Sequence, residues 1–255
     1  MSTPGATPET VDAGKANSQP AQYPTDKELR SSGITPQSTL ATIRLVWSFS
    51  GSLETSISVM ASAYNVDVLE PYFQPTSGGS PWHVISKSSL TYPPVSAIVA
   101  TVRDLELWES DWEDFHENHS DPYSYTESED LQYGDLPDYD PEKDEDPPHL
   151  LVCCGTDRPR NKSGGVLVTA SQSGPGFVTV HDYITTVHPW LMRNRDDILD
   201  AMDRWEDLYE PENMDLVVNA ETPTRLTIKG KSEWVNELSR RQQFVSIHDL
   251  ETKAV

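Results

Sequence analysis

Two histidines, His116 and His119, lie three residues apart and are flanked by Asp114 and Glu117. On a helix both imidazoles would share a face, where they could hold zinc. The helical motif of zinc proteases places its second histidine four residues on, however, and a zinc site needs three or four convergent ligands. We therefore interpret the pair as solvated and predict neither a metal site nor a cofactor. A metal-dependent hydrolase that uses His116, His119 and nearby carboxylates stays open as an alternative.

A second group of candidate residues, His181, Asp182 and His188, lies where an apolar strand pattern changes to a helical one. A catalytic triad also needs a positioned nucleophile, and the chain has no Gly-x-Ser-x-Gly elbow. Asp182 is better explained as an acid in the first turn of a helix, where negative charge is favourable. The sequence therefore predicts no catalytic residue and favours a protein that is not an enzyme.

The two cysteines, Cys153 and Cys154, are adjacent and end the apolar run 150–154, which predicts a buried strand. Neighbours in a strand point to opposite faces, so we expect no disulfide between them. Apolar surroundings raise the pKa of a thiol and make it inert. At least one of the two is therefore predicted to be packed in the interior.

The strongest compositional feature is an acidic stretch from Asp104 to Asp146, which holds eighteen Asp and Glu and one basic residue, Lys143. Aromatic rings are interleaved with these acids, a pattern typical of acidic recognition segments. Charge would attract a basic protein or peptide over a distance, and the rings would supply the close contacts. The predicted partner-binding residues are Trp108, Trp112, Phe115, Tyr125, Asp111, Glu113 and Asp114. The alternative is a loop that only keeps the protein solvated.

The overall charge limits which partners are reasonable. The formal net charge is −22 and the pI is about 4.5, which argues against direct binding to nucleic acids or to anionic membranes. Residues 1–22 lack the apolar core of a secretion signal, and no run of about 18 apolar residues occurs. We expect an intracellular protein, cytoplasmic or nuclear and not secreted. The sequence makes no prediction about oligomeric state.

Alternating apolar residues predict strands over 41–49, 53–59, 66–69 and 82–85, and a longer β-rich run over 95–107. Further strands are predicted over 150–154, 166–169, 216–218 and 226–228. Thr179 is the expected N-cap of a helix that Pro189 should kink or break. Asn194 and Ser232 are the expected caps of two later helices.

These elements predict an α+β domain, with a mostly antiparallel sheet and two or three C-terminal helices. The predicted organisation is a disordered tail over 1–39, one domain over 40–245 and a tail over 246–255. A disordered, acidic and aromatic insertion over 108–147 interrupts the domain. Function is predicted to be that of an interaction module whose acidic segment engages a basic partner.

Three short motifs resemble a family of fungal proteins of unknown function. The first is PWHVI at 81–85, a segment led by tryptophan. The second is YPPV at 92–95, an extended segment that contains proline, and the third is VTVHDYI at 178–184, the start of a helix. The resemblance covers about half of the chain. This sequence departs from the family pattern by its acidic stretch and by Pro189. The resemblance implies the fold and a fungal origin, and it implies no activity.

Overall fold

The computed structural model describes residues 23–75, 79–116, 131–137, 139–140, 142, 149–206 and 215–253. At 204–206 and 244–253 it describes the backbone only. Within these ranges the helices are α1 (Asp26–Ser31), α2 (Leu40–Ile43), α3 (Leu53–Ser56), α4 (Arg103–His116), α5 (Val180–Arg193), α6 (Arg195–Glu206) and α7 (Lys231–Lys253). The first six strands are β1 (Gln37–Ser38), β2 (Leu45–Trp47), β3 (Ile57–Ser62), β4 (Asn65–Pro71), β5 (Thr91–Tyr92) and β6 (Ala97–Val102). The others are β7 (Gln132–Gly134), β8 (His149–Cys153), β9 (Thr156–Asp157), β10 (Val166–Thr169), β11 (Leu216–Asn219) and β12 (Arg225–Gly230). The predicted α+β class is confirmed.

The central sheet has the strand order β10-β6-β12-β11. Of the strand pairs in the described ranges, β6 and β12 alone run parallel, and the others are antiparallel, as predicted. A second sheet, β2-β3-β4, continues from the β11 edge, where the Phe49 N–H donates to the Leu216 carbonyl at 2.9 Å. The two sheets therefore share one continuous apolar face.

The main core lies between this face and α5. Helix α5 begins at Thr179, whose hydroxyl accepts from the Asp182 N–H at 3.1 Å while the Asp182 carboxylate accepts from the Thr179 N–H at 2.9 Å. The predicted cap is thus confirmed. Tyr183 and Leu191 are fully buried on the helix face that meets the sheets. The helix continues through Pro189, so the predicted break does not occur.

A smaller core covers the opposite face of the sheets, beneath α7. Val46 on β2 and Val217 on β11 pack there with Trp234 and Leu238 of α7. Because successive strand residues point to opposite faces, Trp47 next to Val46 belongs to the main core instead. The sheets are therefore buried on both sides at this point.

Four local predictions of strand are wrong. The strand predicted over 41–49 begins only at Leu45, because Thr39 accepts from the Thr42 N–H and caps α2 before it. Residues 84–87 form a 3-10 helix, because the His83 side chain accepts from the Ile85 N–H and caps a turn there. Residues 53–56 form α3 before β3 begins. The β-rich run predicted over 95–107 ends at Val102, where α4 starts.

The predicted disordered tails are also wrong where the structure describes them. Helix α1 lies inside 1–39, and a capping box stabilises its N-terminus. In this box the Glu28 carboxylate accepts from the Thr25 N–H at 2.7 Å. Strand β1 follows it and pairs with β5. At the other end, α7 runs on to Lys253. Residues 1–22 and 254–255 lie outside the described ranges.

The predicted disordered insertion over 108–147 is wrong at both of its described parts. Residues 108–116 are the C-terminal two turns of α4, and β7 pairs with β8. Most of the remaining insertion lies outside the described ranges. None of the helices in the described part of the chain is both long and apolar enough to span a bilayer.

Candidate metal centre

Helix α4 supplies the first side chain of the site. Its buried residues, Leu105, Trp108, Trp112 and His116, recur at three- and four-residue intervals and so form one helical face. This face packs against α6 and β12, while the acidic residues occupy the other sides. His116 is the last described residue of the helix and is only 2% exposed. The acidic stretch thus begins as an amphipathic helix in the body of the fold.

The hairpin of β8 and β9 supplies the other two side chains. Cys153 pairs with Thr156, so Cys154 and Gly155 form a two-residue loop. Both have positive φ, at 52° and 73°, the combination that a tight type I′ hairpin requires. Cys154 therefore leaves the strand geometry, and the two cysteine side chains are not directed to opposite faces. The Sγ atoms of Cys153 and Cys154 are 3.7 Å apart.

The tertiary structure brings these elements together at one point. A ring nitrogen of His116 and the two sulfurs of Cys153 and Cys154 all lie within 4.8 Å of one another. Imidazole nitrogen and thiolate sulfur are the ligands that zinc and related soft divalent ions prefer. The cluster is therefore a candidate metal centre built from three residues and two elements.

Trp112 connects the helix to the hairpin and orients the histidine. Its indole N–H donates to the Thr156 hydroxyl at 3.1 Å, and that hydroxyl donates to the Cys153 carbonyl at 2.9 Å. The Trp112 carbonyl lies 2.7 Å from Nδ1 of His116. Because a carbonyl only accepts, Nδ1 carries the proton, and the lone pair of the neutral ring is on Nε2. Such a backbone contact is the usual outer-shell support of a metal-binding histidine.

A group of ion pairs holds α4 against the segment that follows β9. The Arg158 guanidinium contacts Glu109 at 2.7 Å through Nε and Glu113 at 2.6 Å through Nη2. Arg160 also contacts Glu109. The Arg158 side chain is only 10% exposed, so water screens these contacts less than it screens surface pairs. Part of the acidic stretch is thus neutralised by the protein's own arginines.

The site opens into a cavity of about 570 Å³. His116, Cys154 and Phe115 line one side of this cavity, and Asp157, Asp200 and Asp203 contribute carboxylates to its wall. Asp200 and Asp203 are both exposed and lie on one face of α6. A ligand in the cavity would therefore contact the thiol of Cys154 and meet a strongly negative environment.

The two thiols have different environments. Cys153 is completely buried, and burial raises the pKa of its thiol to about 11. A bound metal ion would reverse this effect, since a coordinated thiol is deprotonated. Cys154 is exposed on the cavity wall. The prediction that at least one cysteine is packed in the interior is confirmed.

Several predicted partner-binding residues are not available to a partner. Trp108 is 7% exposed and Trp112 is 0% exposed, so their prediction as contact residues is wrong. They are buried because the acidic stretch is helical here and its apolar face packs inward. The Glu113 carboxylate contacts Arg158 within the chain. Asp111 is half-buried.

The remaining predicted residues have mixed outcomes. Phe115 is 57% exposed, and Asp114 is exposed beside it. Tyr125 and His119 lie outside the described residues, so their predictions stay untested. The interpretation of His116 as a solvated residue is wrong, because its side chain is on the buried face of α4. The structure places it beside the two cysteines.

Two signals in the sequence could have pointed to this site. The spacing of Leu105, Trp108 and Trp112 is helical, and it places His116 on the same face. Cys154-Gly155 between two β patterns resembles the Asn-Gly type of hairpin loop, which would have removed Cys154 from the strand. Nothing in the sequence indicates that this hairpin packs against that helix, since about 36 residues separate them.

The other clustered histidines are held by the fold. His188 is 3% exposed, accepts from the Trp47 indole N–H at 3.1 Å and donates from Nε2 to the Gly51 carbonyl at 3.1 Å. Nδ1 of His181 lies 3.2 Å from the Tyr72 hydroxyl. Burial lowers the pKa of both imidazoles. These contacts occupy both ring nitrogens of His188 and one ring nitrogen of His181.

Comparisons with known proteins add no assignment. No protein-family model matches the chain, and the searches of curated proteins and of solved structures found no match. The resemblance to the fungal family therefore stays a prediction, and so does the fungal origin.

Proposed function

We propose that this protein binds a zinc-class divalent metal ion through His116, Cys153 and Cys154. The observation that carries the proposal is the 3.7 Å separation of the two sulfurs, with a histidine nitrogen in the same cluster. Two thiolates on a tetrahedral zinc ion, each about 2.3 Å from the metal, lie about 3.8 Å apart. The sulfurs therefore already have the spacing that coordination demands.

Three protein ligands leave one position of a tetrahedral ion for water or for another group. A set of two cysteines and one histidine with such an open position is typical of catalytic zinc rather than structural zinc. At this site the remaining position would be reached from the cavity, whose wall includes Asp157, three residues after Cys154. A metal-bound water there would be the hydrolytic group. The sequence alternative was a metal-dependent hydrolase that uses His116, His119 and nearby carboxylates. The version proposed here keeps His116 and takes Cys153 and Cys154 as the other ligands.

The thiolate ligands favour the predicted intracellular location, cytoplasmic or nuclear. Thiols stay reduced in these compartments, whereas secretion would expose them to oxidation. The proposal of a metal centre and the proposal of the location therefore support each other. Localisation of the tagged full chain in cells tests the second independently of the first.

Metal titration of the reduced full-length protein is the direct test. Cobalt(II) gives visible bands and a sulfur charge-transfer band in tetrahedral thiolate sites, and zinc competition then gives the zinc affinity. We expect one ion per chain. His116→Gln and Cys154→Ser should each weaken binding by more than about 100-fold, the upper end of what loss of an outer-shell partner costs.

The matched control is His83→Gln, because His83 is similarly buried but contacts Glu70 far from the cluster. This variant should bind cobalt like the wild type. Circular dichroism confirms that each variant is folded. Absence of cobalt binding in the reduced wild type overturns the proposal, and so does binding by His116→Gln and Cys154→Ser that is as tight as binding by the wild type.

A second candidate function is the predicted engagement of a basic protein or peptide. The observation in its favour is the exposed Phe115 ring at the rim of a cavity lined by Asp157, Asp200 and Asp203. Acids would attract the partner and the ring would pack against it. The alternative is that the acidic residues serve solvation alone.

Point variants test this second function better than removal of the acidic stretch. A deletion that starts at Glu109 would remove the second half of α4 together with buried Trp112 and His116. The comparison is binding of a lysine-rich peptide by the wild type, by Phe115→Ser and by Asp200→Asn/Asp203→Asn, at low and high salt. Asp67→Asn is the control, because Asp67 is exposed on β4 away from the cavity. Equal, salt-insensitive binding by all four proteins rejects this function.

A further inference from the structure

The two thiols of the cluster differ in access although their sulfurs are 3.7 Å apart. Cys154 lies on the wall of the cavity, and Cys153 is completely buried behind it. We propose that the pair is a site of reversible oxidation by peroxides, in which a disulfide forms between Cys153 and Cys154 and releases the metal ion. The proposed disulfide formation is argued from the positions of the two thiols alone. The proposed release of the metal ion also requires the metal binding proposed above.

The chemistry proceeds in two balanced steps. The Cys154 sulfur attacks one oxygen of hydrogen peroxide, the O–O bond breaks, and a sulfenic acid and one water are formed. The Cys153 sulfur then attacks the Cys154 sulfur, a second water leaves with the thiol proton, and the S–S bond forms. Two thiols lose two electrons in total, and the peroxide is reduced to two waters.

Access and burial fix the order of the two residues. Peroxide enters through the cavity and meets Cys154, whereas no solvent reaches Cys153. Cys153 is therefore the resolving residue, which needs only to reach a neighbouring sulfur.

The hairpin loop is a suitable place for the small movement that the S–S bond requires. A disulfide needs sulfurs about 2.05 Å apart, so they must approach by more than an ångström. Cys154 and Gly155 form the tip of the hairpin. Apart from the two neighbours of Gly155 in the chain, no described residue lies within 4 Å of the position that a Gly155 side chain would occupy. The loop can therefore adjust without displacing the core.

The disulfide should be easily reduced again. Consecutive Cα atoms are about 3.8 Å apart, less than the 4.4 Å or more that is usual between bridged cysteines. Strained disulfides of this kind are more oxidising than structural ones and are reopened by cellular thiols. Oxidation removes both sulfur ligands at once, because only thiolates bind the metal. His116 alone cannot retain the ion.

Intact mass measurement tests the oxidation on the full-length, metal-free protein. Brief treatment with hydrogen peroxide should remove the mass of two hydrogens from the monomer and block alkylation of both cysteines. A thiol reductant should restore both. Formation of the sulfinic acid as the main product, or of a dimer linked through Cys154, overturns the proposal.

Two variants assign the roles. Cys153→Ser should stop at the sulfenic acid of Cys154, which dimedone traps as an adduct. Cys154→Ser should react with peroxide at least about tenfold more slowly than the wild type, because the remaining thiol is completely buried and peroxide does not reach it. Equal rates for Cys154→Ser and the wild type would show that Cys154 is not the attacking residue and would overturn the proposal.

The zinc-loaded protein separates this inference from the proposed function. A chromogenic chelator should detect one zinc ion released for each disulfide formed. A protein that binds zinc but forms no disulfide contradicts the oxidation and leaves metal binding intact. A disulfide in a protein that never bound zinc supports the oxidation and contradicts metal binding.

Discussion

His188 and His116 are both buried histidines of helices, yet they lie in regions that are built for different tasks. At His188 one ring nitrogen accepts from the Trp47 indole and the other donates to the Gly51 carbonyl. At His116 one ring nitrogen donates to the Trp112 carbonyl, and the ring lies beside the sulfurs of Cys153 and Cys154. The first arrangement completes a core, and the second assembles soft ligands.

The comparison shows how burial alone differs from burial at a cavity wall. His188 is enclosed by α5, β2 and the loop at Gly51, so its contacts can serve only the fold. His116 ends α4 at the wall of the 570 Å³ cavity, where an ion or a small molecule can approach. Stability should therefore respond mostly to changes around His188, and ligand binding to changes around His116.

The largest effect is expected in the core region, from Trp47→Ala. Trp47 is completely buried, donates to His188 and packs edge-on against Tyr183 with the ring planes at 81°. Its loss should lower the free energy of unfolding by about 3–5 kcal/mol, measured by denaturant titration. Leu40→Ala, at a site that is 68% exposed, should change it by less than about 0.5 kcal/mol. Equal effects of the two substitutions would show that Trp47 does not anchor the core.

The next effect concerns the site region and the metal. Zinc at about 100 times its dissociation constant should raise the free energy of unfolding by about 2.7 kcal/mol, because the ion binds the folded state. The same zinc concentration should leave Cys154→Ser unchanged. Thermal unfolding with and without zinc gives both values. An equal rise in the variant would assign the stabilisation to the acidic surface instead of the cluster.

A smaller effect is expected where α4 is fastened to the hairpin segment. Arg158→Met removes a nearly buried guanidinium from Glu109 and Glu113 and should cost about 1–3 kcal/mol. It should also weaken cobalt binding, because the helix that carries His116 loses its anchor. The matched control is Arg225→Met. The Arg225 side chain is 46% exposed, so its ion pair with Glu106 should contribute less than about 1 kcal/mol to the free energy of unfolding. Identical results for the two arginines would contradict the role of Arg158.

The smallest effect is the pH dependence contributed by His188. Burial lowers the pKa of this imidazole in the folded state, although the Gly51 carbonyl and the charge of Glu54 partly oppose that shift. The unfolded chain, with a pKa of about 6.5, then takes up a proton before the folded chain does. The stability contribution is therefore complete above about pH 6.5 and is lost as the pH falls toward the lowered pKa.

The check is a comparison of wild type with His188→Gln, which cannot titrate. His181, whose pKa is also lowered by burial, and the carboxylates stay in both proteins, so the difference between the two stability curves isolates His188. The wild type should lose more stability than the variant between about pH 7 and pH 5. Parallel curves would show that His188 does not contribute.

Sequence reasoning predicted the core region better than the site region. The helix start at Thr179 and the buried face with Tyr183 and Leu191 follow from local rules, since capping and helical periodicity involve residues a few positions apart. Helix α4 follows the same rules, but its high charge concealed the spacing of Leu105, Trp108 and Trp112. The error there was one of interpretation, because the apolar face was present in the sequence.

The sequence by itself determined the α+β class, the antiparallel pairing and the C-terminal helices, because apolar periodicity specifies which face of each element is buried. Only the tertiary structure decided that His116 meets Cys153 and Cys154. That contact depends on the left-handed turn at Cys154, on the Trp112 contacts and on the ion pairs of Arg158. A site assembled from a helix and a distant hairpin leaves no fixed spacing along the chain, since the fold alone sets which elements meet.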